Sequence, residues 1–246
     1  MKRSLQIASI LALSILILGL VEAQFHLIRH LFGRGPLGQR ELALEFLGQY
    51  LASHQAGKKA IVLSNPFSGQ PGQPQEVYQF EKAGLRGLRQ GLGASVTIEE
   101  VVFPELRPGL LKNPRAAAIS PATTTPLSYL VADDALDNLA KKHAGAEIIV
   151  SLIGLPLNIK QTETWKPGNN RRFALLLPDL RIIGDQATIR QAVQSGKIAA
   201  MILNKPGAPP EDQPVGKDPK MEFERRFLLI TAENVDQCMR AYPRLF

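Results

Sequence analysis

The chain has 246 residues, 29 basic against 22 acidic side chains, and a single cysteine. That length buries enough apolar surface to fold without covalent staples, and a lone cysteine excludes a disulfide framework within the chain. The formal charge of +7 is dispersed in short pairs such as Lys58-Lys59, Lys141-Lys142, Arg171-Arg172 and Arg225-Arg226, not gathered into the basic stripe of a nucleic-acid binder.

Lys2 and Arg3 precede an uncharged run from Ile7 to Val21, and Val21-Glu22-Ala23 closes it. A cationic head, an apolar core and a small-residue ending are the pattern of an export signal cut after Ala23. Retention as an anchor is the rival reading, since the run is shorter than the ~20 residues that span a bilayer comfortably but near the lower limit of ~17. No cysteine follows the run, which excludes a lipoprotein anchor there. Both readings place the protein in the periplasm or on the extracytoplasmic face of the cytoplasmic membrane. Gln24 to Phe32, QFHLIRHLF, is cationic and hydrophobic. As a helix it sets Phe25, Ile28 and Phe32 on one side, so residues 1–32 offer a route to membrane association. His26 and His30 share a helical spacing but have no acidic or cysteine neighbour, which is half a metal site at best.

Gln39 to His54 reads as a helix, with Leu42, Phe46 and Tyr50 on one stripe and Leu44, Leu47 and Leu51 on another. Residues 24–57 therefore form an N-terminal helical segment, and 58–246 a single α/β domain. Ala60-Ile61-Val62-Leu63 is a buried strand emptying into the loop Ser64-Asn65-Pro66-Phe67-Ser68-Gly69. Glu76 to Gly91 predicts a helix that Gly84 and Gly87 weaken, a cost unless backbones approach there. Ser95 to Phe103 is a β-branched strand, and the proline-rich stretch 107–126 a long loop with a short extra strand at Ala116 to Ile119. Leu127 to His143 reads as a helix and Glu147 to Leu155 as the third strand. Arg172 to Leu177 is the fourth strand. Asp185 caps a helix running through Ser195. Ile198 to Leu203 is the fifth strand, 206–220 an exposed excursion, Arg226 to Thr231 the last strand and Asn234 to Tyr242 a terminal helix, with Cys238 a buried thiol. Short, continuously apolar strands alternating with helices predict a three-layer α/β fold around a mostly parallel, doubly wound sheet.

Ligands of such sheets bind beyond the carboxyl ends of the strands. The candidate ligand-binding residues are therefore Ser64, Asn65, Phe67 and Ser68 after the first strand, and Asn158 and Trp165 after the third. Asp179 follows the fourth and Asn204, with Lys205, the fifth. Amides and hydroxyls of this kind suit hydrogen bonds to a small neutral polar solute. Neither a G-x-G-x-x-G nor a G-x-x-x-x-G-K-[ST] motif is present, and the prolines after Ser68 remove the donors of a phosphate nest. G-x-S-x-G, H-E-x-x-H and C-x-x-C are absent as well. No catalytic residue, metal or cofactor is expected. Glu99-Glu100 and Asp133-Asp134 read as solvated edge carboxylates that diverge in direction.

The stretch from Ala60 to about Pro206 resembles the periplasmic binding proteins of sugar uptake, one lobe at most. The resemblance rests on IVLSNPF, on QFEKAGLRGLRQGLGASVTI and on ALDNLAKKHAGAEIIVSLIG. It implies a non-enzymatic domain holding a small solute, with Asn65 and Phe67 flanking the cleft. Three functions stay open: solute binding or sensing in the envelope, a scaffold for an envelope protein partner, or a hydrolase-like enzyme assembled from distant loops such as Asp179 with His143.

Overall fold

The computed structural model describes residues 35–68, 70–110, 113, 119, 123 and 125–246. The expected signal segment, the QFHLIRHLF stretch and the expected short strand at 116–119 lie outside the described residues, apart from Ile119 itself.

Six strands form one sheet: β1 (Lys59–Leu63), β2 (Thr97–Val102), β3 (Ile148–Ser151), β4 (Arg172–Leu176), β5 (Ile198–Asn204) and β6 (Phe227–Ile230). The order is β2-β1-β3-β4-β5-β6. The first five run parallel and β6 is antiparallel to β5. The order reverses at β1, as the doubly wound reading requires.

Alternation along the strands divides the core. Ala60, Val62, Val150, Ala174 and Ile202 face one side. There they meet α1 (Pro36–His54), α2 (Gln75–Leu92) and α5 (Pro219–Arg226). Ile61, Ile149, Phe173, Leu175 and Met201 face the other, against α3 (Ala135–Lys142), α4 (Gln186–Gln194) and α6 (Val235–Ala241). Helix α1 is integral to this core: Leu42, Leu44, Leu47 and Leu51 are fully buried, and Phe46 stacks on Phe223 of α5 at 4.2 Å between ring centroids. Its two apolar stripes belong to a helix buried on several sides. No helix among the described residues is long and apolar enough to cross a membrane.

Gly84, Gly87 and Gly91 of α2 and Gly48 of α1 resolve the apparent weakness of α2. At each, a side chain would collide with the partner helix, through backbone atoms at Gly48, Gly87 and Gly91. The glycines let the two helix backbones touch. Ion pairs flank the contact: Arg86 with Glu41 at 2.5 Å, and Arg40 with Glu81 at 2.6 Å.

Three elements differ from the sequence expectation. Residues 127–143 are not one helix. A 3-10 turn spans Pro126–Tyr129, and α3 starts only at Ala135. Between them the backbone at Leu130 and Ala132 bonds Arg107 and Glu105, leaving no ladder for a helix to continue. The excursion 206–220 is partly anchored and ends in α5. Asp218 accepts a bond from the Met221 N–H at 3.1 Å, and Pro219 takes the first helical position. Lastly, Glu99 and Glu100 converge. The β1–β2 register pairs Ala60 with Ile98 but Ile61 with Glu100, so Glu99 is the extra residue of a bulge, which re-aims side chains. The two nitrogens of buried His143 then lie 2.9 Å from Glu99 and 3.4 Å from Glu100.

Candidate functional site

The strand exits do not share one crevice. At the exit of β1, Ser64 is buried and donates to Glu81 at 2.8 Å, which in turn holds Arg40. The Asn65 side chain closes an Asx turn on the Phe67 N–H at 2.9 Å, and the Ser68 hydroxyl donates back to the Asn65 carbonyl at 2.7 Å. The exit of β3 is occupied by the 3-10 turn. The Ser128 hydroxyl donates to the Ile153 carbonyl at 3.0 Å, and Thr125 and Ser128 pack against Gly154, whose φ is +80°. Asn158 donates to the Asp133 carbonyl at 2.7 Å. Asp179 caps a 3-10 turn and grips Arg181 through both oxygens, at 2.8 and 2.6 Å.

Trp165 lies at the opposite end of the sheet. Its loop runs back toward the amino ends of the strands because the Lys197 ammonium donates to the carbonyls of Thr164, Asn169 and Arg171. Burial holds that ammonium below the usual lysine range. Trp165 packs on Phe173 and lines a groove of about 660 Å³ with Lys58, Arg172 and Lys197.

Asp137 ties the same loop to α3 by accepting from the N–H groups of Glu163 and Thr164, both at 2.9 Å. Burial alone would raise its pKa, but the Thr164 hydroxyl and these N–H groups bring it below the usual carboxylate range. The Arg181 hydrogen bonds lower Asp179 likewise, against its burial. Carboxylates depressed in the folded state add stability above the unfolded value of about 3.9, and that stability is lost as pH falls through the folded values. Denaturant titration between pH 7 and pH 2 is therefore expected to show a flat response above about pH 5 and a fall below about pH 4. Asp137→Asn should make that acid limb shallower.

Two residues named from sequence do line a cavity at the carboxyl ends. Asn204 and Lys205 border a space of about 330 Å³ at the exits of β4 and β5. The walls are Ala43 of α1, Phe80 of α2, Leu176 and Leu177 of β4 and its exit, and Phe227 of β6. The outer wall is the excursion at Gly207 to Glu211. Leu177 has φ +45° and is the one non-glycine residue at positive φ among those described. A bulky side chain there costs about 1–2 kcal/mol, and Pro178 disfavours the right-handed alternative. Strain of this kind clusters at ligand sites.

Two side chains missed in the sequence hold the excursion in place. Arg226, 2% exposed, donates to the carbonyls of Gln213 at 3.0 Å, Pro214 at 3.1 Å and Pro210 at 3.3 Å, while its Nε reaches Glu222 at 3.1 Å. Gln39 donates to the carbonyls of Glu211 at 2.7 Å and Gln213 at 3.0 Å. Prolines cannot supply N–H donors, so a proline-rich segment must find them elsewhere. The available signal was the Arg225-Arg226 pair placed directly before an apolar strand, downstream of Pro209, Pro210 and Pro214.

The electrostatics of the cavity are largely closed. Arg40 is neutralised by Glu81 and Arg226 by Glu222, and the Lys205 ammonium donates to the Glu224 carbonyl at 2.7 Å. Phe80 lies 4.4 Å from the Arg40 guanidinium. The Asn204 amide makes no hydrogen bond to any described residue, leaving both its donors and its acceptor open. His, Cys, Ser and Thr are absent from the cavity lining among the described residues. His143, 5% exposed beside β2, is not part of it. No cluster of His, Cys, Asp or Glu suited to a metal occurs among the described residues.

No family model matches the chain, and no curated protein matches it. Solved structures align with it over part of their length. A galactofuranose-binding protein is 12% identical with a TM-score of 0.48, over 84% of this chain and 63% of its own. A carbohydrate transporter from Acidothermus cellulolyticus 11B, in complex with myo-inositol, is 12% identical with a TM-score of 0.46, over 87% of this chain and 63% of its own. A periplasmic solute-binding protein from Actinobacillus succinogenes 130z, with bound D-allose, is 9% identical with a TM-score of 0.44, over 84% and 63%. The chain thus spans less than two thirds of the length of each. The likeness is one of fold: the chain resembles part of the sugar-binding periplasmic proteins of ABC transporters.

Proposed function

We propose that this domain binds a small neutral solute, without chemistry, in the cavity at the exits of β4 and β5, and that it does so in the periplasm or on the outer face of the cytoplasmic membrane. The cavity itself carries the reading. Its outer wall is a proline-rich excursion fixed by a buried guanidinium, and an unpartnered amide faces the space. A loop merely joining α5 to β5 would need neither. With its two arginines paired to buried carboxylates, the cavity offers little net charge to an ion. Apolar walls and the Phe80 ring suit a ligand with an apolar face, and Asn204 suits one with hydroxyls on its edge. Sugars and polyols have both. With no Ser, Cys, Thr or His among the described lining residues, binding is favoured over hydrolysis. The localisation rests on the export pattern of residues 1–23.

The test is a panel of monosaccharides and polyols added to the full chain, read by thermal unfolding and calorimetry. A true ligand at about one hundred times its Kd adds about 2.7 kcal/mol of stability. Asn204→Ala removes only an exposed side chain and should leave the unliganded midpoint unchanged while weakening binding about tenfold. The proposal fails if no neutral solute shifts the midpoint. It fails equally if a shift persists undiminished in Asn204→Ala and in Phe80→Ala.

A further inference from the structure

The large exposed hydrophobic side chains are not scattered. Leu37, Tyr78, Phe80, Phe103, Leu157 and Met221 are the exposed ones among the described residues. Leu37 is in the first turn of α1, whose start carries Gln39 and Arg40 to the cavity. Tyr78 and Phe80 are near the start of α2, which follows the exit of β1. Phe103 directly follows β2, and Leu157 sits in the loop leaving β3. Met221 is in α5, which runs into β6 beside Asn204. These elements meet at the carboxyl end of the sheet. The opposite end presents polar groups instead, among them Lys58, Glu147, Asn169, Asn170 and Gln191.

A second observation bears on what covers that apolar end. The described chain begins at Gly35, immediately before α1, and α1 starts at the same face. The uncharged run Ile7–Val21 and the cationic, hydrophobic Gln24–Phe32 precede it. Thirteen residues separate Val21 from Gly35, a reach of at most about 50 Å when fully extended. If the uncharged run is retained as an anchor, it tethers the domain by its apolar end. A cation accompanies one of the exposed rings there. The Lys82 ammonium lies 5.7 Å from the Tyr78 ring. Rings of this kind at the headgroup level, with lysines reaching phosphates, are how proteins settle on bilayers.

We propose that the carboxyl-end face of the sheet docks on the lipid bilayer surface, turning the rim of the cavity toward the headgroups. The occupant is an anionic phospholipid surface. This stands independently of solute binding. The test uses the full chain with Cys238→Ser, reconstituted into vesicles of phosphatidylethanolamine and phosphatidylglycerol. Single cysteines replace Tyr78, Phe103 or Leu157 at one end and Asn170 or Gln191 at the other, each carrying a fluorophore. All five positions are exposed, so the substitutions should leave folding intact. A headgroup nitroxide lipid is expected to quench the first three several-fold more than the last two. Equal quenching at both ends overturns the proposal. So does energy transfer between like labels at the carboxyl end that disappears on dilution with lipid, which would assign the face to a second copy. Failure of the protein to remain with the vesicles also overturns it.

Discussion

Gly87→Ala is expected to destabilise the domain by about 3 kcal/mol, at the upper end of what overpacking does. Alanine is the better helix former by about 1 kcal/mol, so on local grounds the substitution should stabilise α2. Packing reverses the sign. A Cβ on Gly87 would fall well inside contact with the Glu41 carbonyl oxygen and 2.8 Å from its carbon. These are backbone atoms of α1 and cannot rotate aside. Gly91 repeats the geometry at Glu45, with the Gln49 nitrogen 2.8 Å away. Gly84 is the internal control. Its Cβ would meet the Leu44 Cδ1 at 2.7 Å and the Arg40 Nε at 3.0 Å, side-chain atoms with room to give. Denaturant unfolding should therefore rank Gly87→Ala and Gly91→Ala as severe and Gly84→Ala as mild. Equal effects at the three sites would mean that the helices separate readily and that the close approach contributes little.

Arg226→Met should cost about 3–5 kcal/mol, the range for removing one partner of a buried ion pair. Methionine keeps much of the stem volume, so the loss is mostly electrostatic. Glu222, 9% exposed, loses its buried partner and retains the Gly216 N–H and Arg225, whose side chain is 44% exposed. The carbonyls of Pro210, Gln213 and Pro214 lose the guanidinium together, and that of Gln213 keeps Gln39. Arg226→Lys should recover only part of the loss, because one ammonium cannot span acceptors arranged around a planar fork. Limited proteolysis adds a separate readout: the variants should become cleavable between residues 206 and 218 at denaturant concentrations where the parent resists. Intact resistance would show that Gln39 alone suffices to hold the excursion.

Much of the sheet was legible because its strands are short and continuously apolar, and turn residues bound them. The Asp185 cap was legible too: its carboxylate accepts the Thr188 N–H at 2.8 Å, a local contact fixed by neighbours in sequence. What escaped notice depends on partners distant in sequence. Residues 105–107 stop a helix at 130–132, and nothing in Leu130 or Val131 announces it. The bulge that turns Glu99 toward His143 arises from pairing with β1. Of the site, only Asn204 and Lys205 at the fifth-strand exit were visible. Asn65 and Asp179 have the residue types of a ligand site but bond within their own turns, whereas Gln39 and Arg226 looked like ordinary surface residues. Sequence spacing locates strand exits, but only packing decides which exit stays open.

The burial of α1 also sets the order in which the molecule can close. This first helix of the described domain stacks on Phe223, and Gln39 bonds residues 172 and 174 positions later. A chain emerging from the ribosome cannot complete the α1 face until α5 exists, nearly at its end. Contacts so distant in sequence delay folding, since the long loop must be closed before they stabilise anything. Late closure leaves the polypeptide threadable for most of its synthesis. For a protein whose first residues read as an export signal, slow completion is an advantage in translocation.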